Sequence, residues 1–223
     1  ENTLNHNLFS VLGITFKCLH HENGLKKASS GDLKGAIEDF TKSIAANPNQ
    51  VISHHDRALA RKLSKDYKGA IEDYTKVIEL NNEMKGEDNK FTENIYLERG
   101  YCRFLAEDDE GAIEDYTKVI EFNPESYIGF GRRGIVNDFI GDHEKAVLDF
   151  SKALDFYYEN DKYELNEIIL YMKRGDSKFA LEDFKGARFD TNEAILINNE
   201  KNLLNNSQVS DLYEKLGCIN TCL

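Results

Sequence analysis

The phrase Gly-Ala-Ile-Glu-Asp-(Phe or Tyr)-Thr-Lys begins at Gly35, Gly69 and Gly111. Two looser copies follow, Lys145-Ala-Val-Leu-Asp-Phe-Ser-Lys and Gly186-Ala-Arg-Phe-Asp-Thr-Asn-Glu. Their alanines, Ala36, Ala70, Ala112, Ala146 and Ala187, lie 34, 42, 34 and 41 residues apart. A period near 34 is too long for a single helix or strand and marks one supersecondary unit that buries its apolar face on its neighbours. The chain is therefore expected to be a stacked helical array, and its function to be binding rather than catalysis.

Each unit carries two helical patterns. The second runs from the Gly-Ala phrase with apolar residues three and four apart, as in Ala70, Ile71, Tyr74, Val77 and Ile78, which is the stripe of an amphipathic helix about four turns long. The first centres on Asn23-Gly24, Arg57-Ala58, Arg99-Gly100, Arg133-Gly134 and Arg174-Gly175, where a small residue lets two helix backbones approach. Turns are expected at Ser30-Gly31-Asp32, Lys65-Asp66, Asp108-Asp109, Gly141-Asp142 and Glu182-Asp183, residue types that end one helix and cap the next. The two longer spacings place extra residues at Met84 to Thr92 and Tyr157 to Glu167, as longer helices or longer loops. A two-unit period of 75 to 76 residues results and suggests a duplicated pair.

Composition narrows the partner. The formal net charge is −12, whereas a nucleic-acid binder shows a basic face, so RNA and DNA are not expected. Both prolines, Pro48 and Pro124, fall just after a repeat phrase, where a helix should stop. The four cysteines, Cys18, Cys102, Cys218 and Cys222, lack metal-type or redox-type spacing and are expected as free thiols in a reducing, cytoplasmic setting. No apolar run has the length of a membrane span. Leu8 to Phe16 is apolar but short and does not make a complete signal peptide; the sequence starts at Glu1, which leaves a removed targeting segment open.

The small residue in the first helix, the alanine and aromatic in the second and the proline near the end together resemble the tetratricopeptide repeat family. The resemblance implies an all-α fold, a right-handed α-α solenoid (superhelix) of five helix-turn-helix units plus a C-terminal capping helix. The units expected are 17–50, 51–84, 93–126, 127–160 and 168–201, within a repeat domain at 17–201. An N-terminal extension occupies 1–16 and the capping segment 202–223, with Leu212, Leu216, Ile219 and Leu223 turned to the stack. The chain departs from the family pattern in three ways. His20, His54, Tyr96, Phe130 and Tyr171 stand where a tryptophan is frequent, the closing proline survives only in units one and three, and the fifth unit has Thr191 in the aromatic's place, which predicts looser packing there.

Arg57, Arg99, Arg133 and Arg174 are each followed 16 residues later by an aspartate, Asp73, Asp115, Asp149 and Asp190. These are expected to be structural ion pairs, mostly bidentate, since a buried carboxylate or guanidinium must find a partner. Asp39, whose unit has Asn23 instead, is expected to reach Arg57 of the next unit. His20-His21 and His54-His55 occupy equivalent places; their helix axes are too far apart for easy shared ligation, so no metal and no cofactor is expected, while a pH-sensitive groove is an alternative. Gly129-Phe-Gly131-Arg-Arg-Gly134 fits a dinucleotide-binding expression but lies within a helix with no preceding strand, so it is read as packing.

The resemblance further implies a concave groove lined by the first helices, which assigns partner binding to His21, His55, Leu59, Leu97, Tyr101, Ile128, Gly131, Arg132, Ile135 and Met172. The functional expectation is a non-catalytic protein-protein interaction scaffold that takes a peptide or partner helix in that groove. No nucleic acid or membrane is expected as partner. Two alternatives stay open: a regulatory or targeting segment of a larger enzyme or sensor, and a self-assembling homo-oligomer.

Overall fold

A computed structural model describes residues 19–83, 89–160, 164–202 and 204–223, and every regular element among them is a helix. The helices are α1 (residues 19–29), α2 (Leu33–Ala46), α3 (Val51–Leu63), α4 (Tyr67–Glu83), α5 (Asn89–Leu105), α6 (Asp109–Phe122), α7 (Tyr127–Phe139), α8 (His143–Asn160), α9 (Glu164–Ala180), α10 (Phe184–Lys201) and α11 (Asn206–Cys222). The first ten alternate as the first and second helices of successive repeats and α11 follows them, and the all-α fold class expected from the sequence is the one observed. The N-terminal extension expected at 1–16 lies outside the described residues. The chain divides into two compact halves, Glu1–Gly111 and Ala112–Leu223, each with its own core.

One local device builds every turn within a pair. A residue with positive φ (Gly31, Lys65, Glu107, Gly141 or Glu182) reverses the chain in the left-handed region. The aspartate after it accepts a hydrogen bond from the amide three residues on: Asp32 from Gly35, Asp66 from Gly69, Asp108 from Gly111, Asp142 from Lys145 and Asp183 from Gly186. That bond satisfies an orphan N–H of the new helix. The third turn is thus Glu107-Asp108, not Asp108-Asp109; Asp109 already belongs to α6. The prolines stand where expected, Pro48 beyond the end of α2 and Pro124 beyond the end of α6.

In the first half, α2 packs on α3, α3 on α4 and α4 on α5. Phe40 and Tyr74 are fully buried beside Ala36 and Ala70, so the alanine and aromatic of the phrase form the seam between paired helices. In the second half, α7 packs on α8, α8 on α9, α9 on α10 and α10 on α11, with Phe150, Ile168 and Leu212 fully buried. A fully buried ring or branched side chain contributes about 1.5–3 kcal/mol. The insertions lengthen helices: α4 and α5 have 17 residues each where α2 has 14 and α3 has 13. Likewise α8 and α9 have 18 and 17 where α6 and α7 have 14 and 13.

The last helix is held by a capping box between Asn205 and Gln208 and buries Leu212 and Ile219. Leu216 is half-buried. Leu223, expected to face the stack, is 51% exposed because it lies past the end of α11, where it has no helical neighbour to meet.

The expected slack in the fifth repeat is visible at the small residues. A Cβ added to Gly134 would stand 2.9 Å from the Phe150 ring, whereas one added to Gly175 would meet Asp190 Cβ at 3.4 Å, an ordinary contact, because Thr191 replaces the ring. Gly175→Ala should therefore raise the stability by up to about 1 kcal/mol through helix propensity alone. Gly134→Ala should lower it by about 1–3 kcal/mol through overpacking. Urea denaturation of the two variants checks this; equal shifts of the same sign would contradict it.

Candidate functional site

A charged clamp positions the first helices. Arg57 donates to both carboxylate oxygens of Asp73, at 2.9 and 2.6 Å, Arg133 to both of Asp149, at 3.0 and 2.8 Å, and Arg174 to both of Asp190, at 2.9 and 2.6 Å. These are the bidentate pairs expected from the 16-residue spacing. The remaining guanidinium nitrogen reaches back to a hydroxyl on the preceding repeat's second helix. Arg57 takes Thr41, Arg99 takes Thr75, Arg133 takes Thr117 and Arg174 takes Ser151, all at 3.0–3.1 Å. Thr41, Thr117 and Ser151 meanwhile donate to the carbonyl four residues back, so the one hydroxyl accepts and donates at once.

Two supports of the clamp escaped the sequence reading. The residue four beyond three of these arginines adds a donor: Arg61 to Asp73, Asn137 to Asp149 and Lys178 to Asp190. The aromatics standing in for tryptophan carry the guanidinium on their faces: Arg99 over Tyr96, Arg133 over Phe130 and Arg174 over Tyr171, 5.3–5.7 Å from the ring centres, within cation–π range. His54 instead lies 3.4 Å from Asp73 and donates from Nε2 to the Pro48 carbonyl at 2.9 Å. Asp39, expected to reach Arg57, pairs with Lys27 at 2.7 Å and Lys42 at 3.4 Å. Lys27 stands four residues beyond Asn23, so the auxiliary donor position takes over where the arginine is missing.

The clamp faces inward, leaving the opposite faces of the first helices for other contacts. In the first half, His21 on α1 and His55 on α3 meet one carboxylate, Asp56, at 2.8 and 3.0 Å. Burial alone would raise the Asp56 carboxyl, but the bonds from His55 and His21 outweigh it and hold it below the ordinary range. His21 also lies against Phe40, and His55 against Tyr74 and Phe91. Leu59 packs on the local core, and Leu97 and Tyr101 are half-buried. Lys62 of α3 pairs with Glu98 of α5.

In the second half, Ile128, Gly131, Arg132 and Ile135 of α7 come together with Tyr127 and, from α9, Ile169 and Leu170 around a pocket of about 310 Å³. Gly131 forms part of its floor, buried with a Leu170 methyl 3.2 Å from where its Cβ would stand. The Gly-x-Gly-x-x-Gly stretch is thus helical packing within α7. Met172 is half-buried and, like Ile135, packs against the core cluster beneath. Asp138 on α7 accepts from Ser177 on α9 at 2.7 Å, and Asp176 on α9 pairs with Lys215 on α11. Successive first helices are therefore tied along this face by single polar contacts, which no spacing in the sequence announces.

Among the described residues no group of three or more His, Cys, Asp or Glu side chains is placed to hold a metal ion, and no helix is long and apolar enough to cross a membrane. Cys102, Cys218 and Cys222 are free thiols. Burial pushes the Cys102 thiol up to about 12, which keeps it protonated and inert.

Residues 53–84 match the family model for the tetratricopeptide repeat. The crystal structure of MamA protein superposes with a TM-score of 0.72 at 22% identity, covering 83% of this chain and 93% of that one. MamA 41-end from Desulfovibrio magneticus RS-1 gives 0.70 at 16% identity over 83% and 96%. YrrB, described as a TPR protein with an unusual peptide-binding site, gives 0.63 at 14% identity over 80% and 84%. A search of curated proteins gives no match. The match and the shared fold support the tetratricopeptide repeat family to which the phrase pointed.

The paired carboxylates set the pH response. The Lys27 hydrogen bond foremost holds Asp39 below its ordinary value. Burial works to raise Asp73, but His54, Arg57 and Arg61 together hold it low. A carboxyl whose folded value lies below its unfolded value of about 3.9 contributes its stability fully above that pH and loses it as pH falls through the folded value. The melting temperature should hold steady from neutral pH to about 5 and fall below about 4. In Arg57→Met the melting temperature should be lower at neutral pH and its acid fall shallower, because without the guanidinium Asp73 gains less from being ionised in the folded state. Superimposable wild-type and variant profiles would contradict this.

Proposed function

We propose that this chain is a non-catalytic protein-protein interaction scaffold that binds a peptide or partner helix on the faces of its first helices. The observation that carries the reading is the pocket between α7 and α9. It is apolar in most of its lining, with Ile128 and Ile169 exposed at its rim and one cation, Arg132, beside them. Concave apolar sites with a few polar groups are where side-chain anchors bind. In the first half, the exposed Leu25 and Ile52, with His21, His55, Leu59, Leu97 and Tyr101, offer a comparable surface. The shared fold with a protein described as having a peptide-binding site supports the same reading. So does the chemistry of the buried ionisable groups, which are engaged in the clamp rather than gathered as acid, base and nucleophile.

Affinity on this reading comes from burial of one or two aliphatic or aromatic anchors, and register from Arg132 and the Asp56-linked histidines. The test is capture from the native cell extract by the wild type and by Leu97→Glu/Ile135→Glu, both checked for equal helicity by circular dichroism. A partner held by the wild type should bind the variant at least about tenfold more weakly, as expected for placing a charge in an anchor pocket. Equal binding by both would remove the first-helix faces as the site. A concentration-dependent mass abolished by the variant, with no foreign partner, would replace the proposal with self-assembly.

A further inference from the structure

The last helix sits in the array as a first helix does. Leu212 and Ile219 are buried where α11 packs on α10, and they flank Gly217 at the distances in sequence at which Leu170 and Ser177 flank Gly175. Leu170 and Ser177 are likewise buried, with α9 packed on α8. In this register Tyr213, Leu216, Gly217 and Asn220 stand where α9 has Tyr171, Arg174, Gly175 and Lys178. Those four residues of α9 meet the second helix of their own repeat, α10: Arg174 and Lys178 hold Asp190, and Gly175 lies against Asp190 and Ala187.

On α11 that side of the register is bare. A Cβ added at Gly24 would stand 2.6 Å from the Phe40 ring, one at Gly134 2.9 Å from the Phe150 ring and one at Gly175 3.4 Å from Asp190 Cβ, whereas at Gly217 nothing lies within 4 Å. Tyr171 is buried, but Tyr213 is 51% exposed. Packing within the chain therefore gives Gly217 no role, although glycine weakens a helix relative to alanine. A helix that did no more than close the array would turn a polar face outward. Here Tyr213, Leu216 and Gly217 form an uncharged seam, and Lys215 is turned away from it to Asp176 of α9.

We infer that the seam Tyr213–Leu216–Gly217–Asn220 docks a helix of a partner protein that has the form of this array's own second helices. The occupant's chemistry is read from the interfaces that continue to this point, α3 with α4, α7 with α8 and α9 with α10. A small residue and a ring four residues later cover the equivalent seam in repeats two and four, as Ala70 with Tyr74 and Ala146 with Phe150. The partner's ring settles over Gly217 as Phe150 settles over Gly134. Its preceding residue differs from the array's aspartate, because Leu216 replaces the clamp arginine and would leave a carboxylate stranded. A neutral residue able to accept from Asn220 suits that place, since Asn137 at the matching position of α7 donates to Asp149. A folded copy of this chain has no such helix to lend: α8 is packed on α7 and α9, and α10 on α9 and α11. The seam lies apart from the α7–α9 pocket and does not rest on the function proposed for it.

The test is a peptide display library built on the α8 sequence, with the positions of Ala146, Asp149, Phe150 and Ala153 randomised. It is selected against the full chain and depleted with Gly217→Gln. That variant puts a side chain into open space, so its melting temperature should equal or exceed that of the wild type. Enriched peptides should carry a ring at the position of Phe150, a small residue at that of Ala146 and a neutral one at that of Asp149. In fluorescence anisotropy they should bind Gly217→Gln and Tyr213→Ser at least about tenfold more weakly than the wild type. Gly217→Ala should keep most of the affinity, since Ala58 serves at this position in the second repeat, and Ile135→Glu should bind as the wild type does. No enrichment, a consensus without the ring or with an acidic residue before it, or equal affinity for Gly217→Gln and Tyr213→Ser would overturn the assignment. So would a wild-type dimer that Gly217→Gln dissociates, since α11 would then be covered by a second copy.

Discussion

A guanidinium that grips three helices at once underlies the rest of this structure. Arg57 on α3 holds Asp73 on α4 by a bidentate pair and Thr41 on α2 by a single bond; Arg133 does the same with Asp149 on α8 and Thr117 on α6. The aspartate contact closes a helix pair, and the hydroxyl contact sets that pair on the one before it. This gives a chemical reason for the phrase Asp-(Phe or Tyr)-Thr-Lys: in the second repeat its aspartate, Asp73, serves that repeat's arginine, Arg57, while its ring fills the seam and its threonine serves the next repeat's arginine. A half-buried pair of this kind adds little net stability compared with an apolar replacement. Removing one partner, however, strands a buried charge at a cost of about 3–5 kcal/mol. The clamp therefore acts mainly on geometry, fixing the rotation at which each first helix presents its free face.

That rotation creates two surfaces of different character. On the first-helix side, residues such as Ile128 and Ile169 stay accessible because the clamp, on the other side of the same helix, has taken up the charged side chains. On the second-helix side, an exposed glutamate (Glu38, Glu72 or Glu114) stands two residues after the phrase's alanine in the first three repeats, and Leu148 and Phe189 at that position leave the later ones apolar. The inserted residues act in the same direction. By lengthening α4 with α5 and α8 with α9, they extend the helical faces at alternate junctions without disturbing the clamp, which sits near the middle of each pair.

The fold was legible because its determinants are local and repeated. The alanine, ring and capping aspartate recur in register, and each does one job that a spacing reveals. The arginine–aspartate pairs were legible for the same reason. The threonine contact was not, since a hydroxyl at an exposed-looking helical position has many ordinary explanations. Lys27, which holds Asp39 in place of the expected Arg57, shows the limit of reading by homologous position: its place one turn further along α1 matters more than its residue type. Of the first-helix residues singled out, Ile128, Gly131, Arg132 and Ile135 line one pocket. The linkage of His21 and His55 through Asp56 emerged only in three dimensions, because the three residues come from two helices.

The most direct measurement is a double-mutant cycle between Arg133 and Thr117, using Arg133→Met, Thr117→Val and the double variant in urea unfolding. The clamp predicts a coupling of about 1 kcal/mol, since a hydrogen bond to a charged group is lost with either residue and cannot be lost twice. Additive effects, within about 0.3 kcal/mol, would mean that the hydroxyl contact carries no energy, and the arginine would then join the helices of its own pair and nothing more.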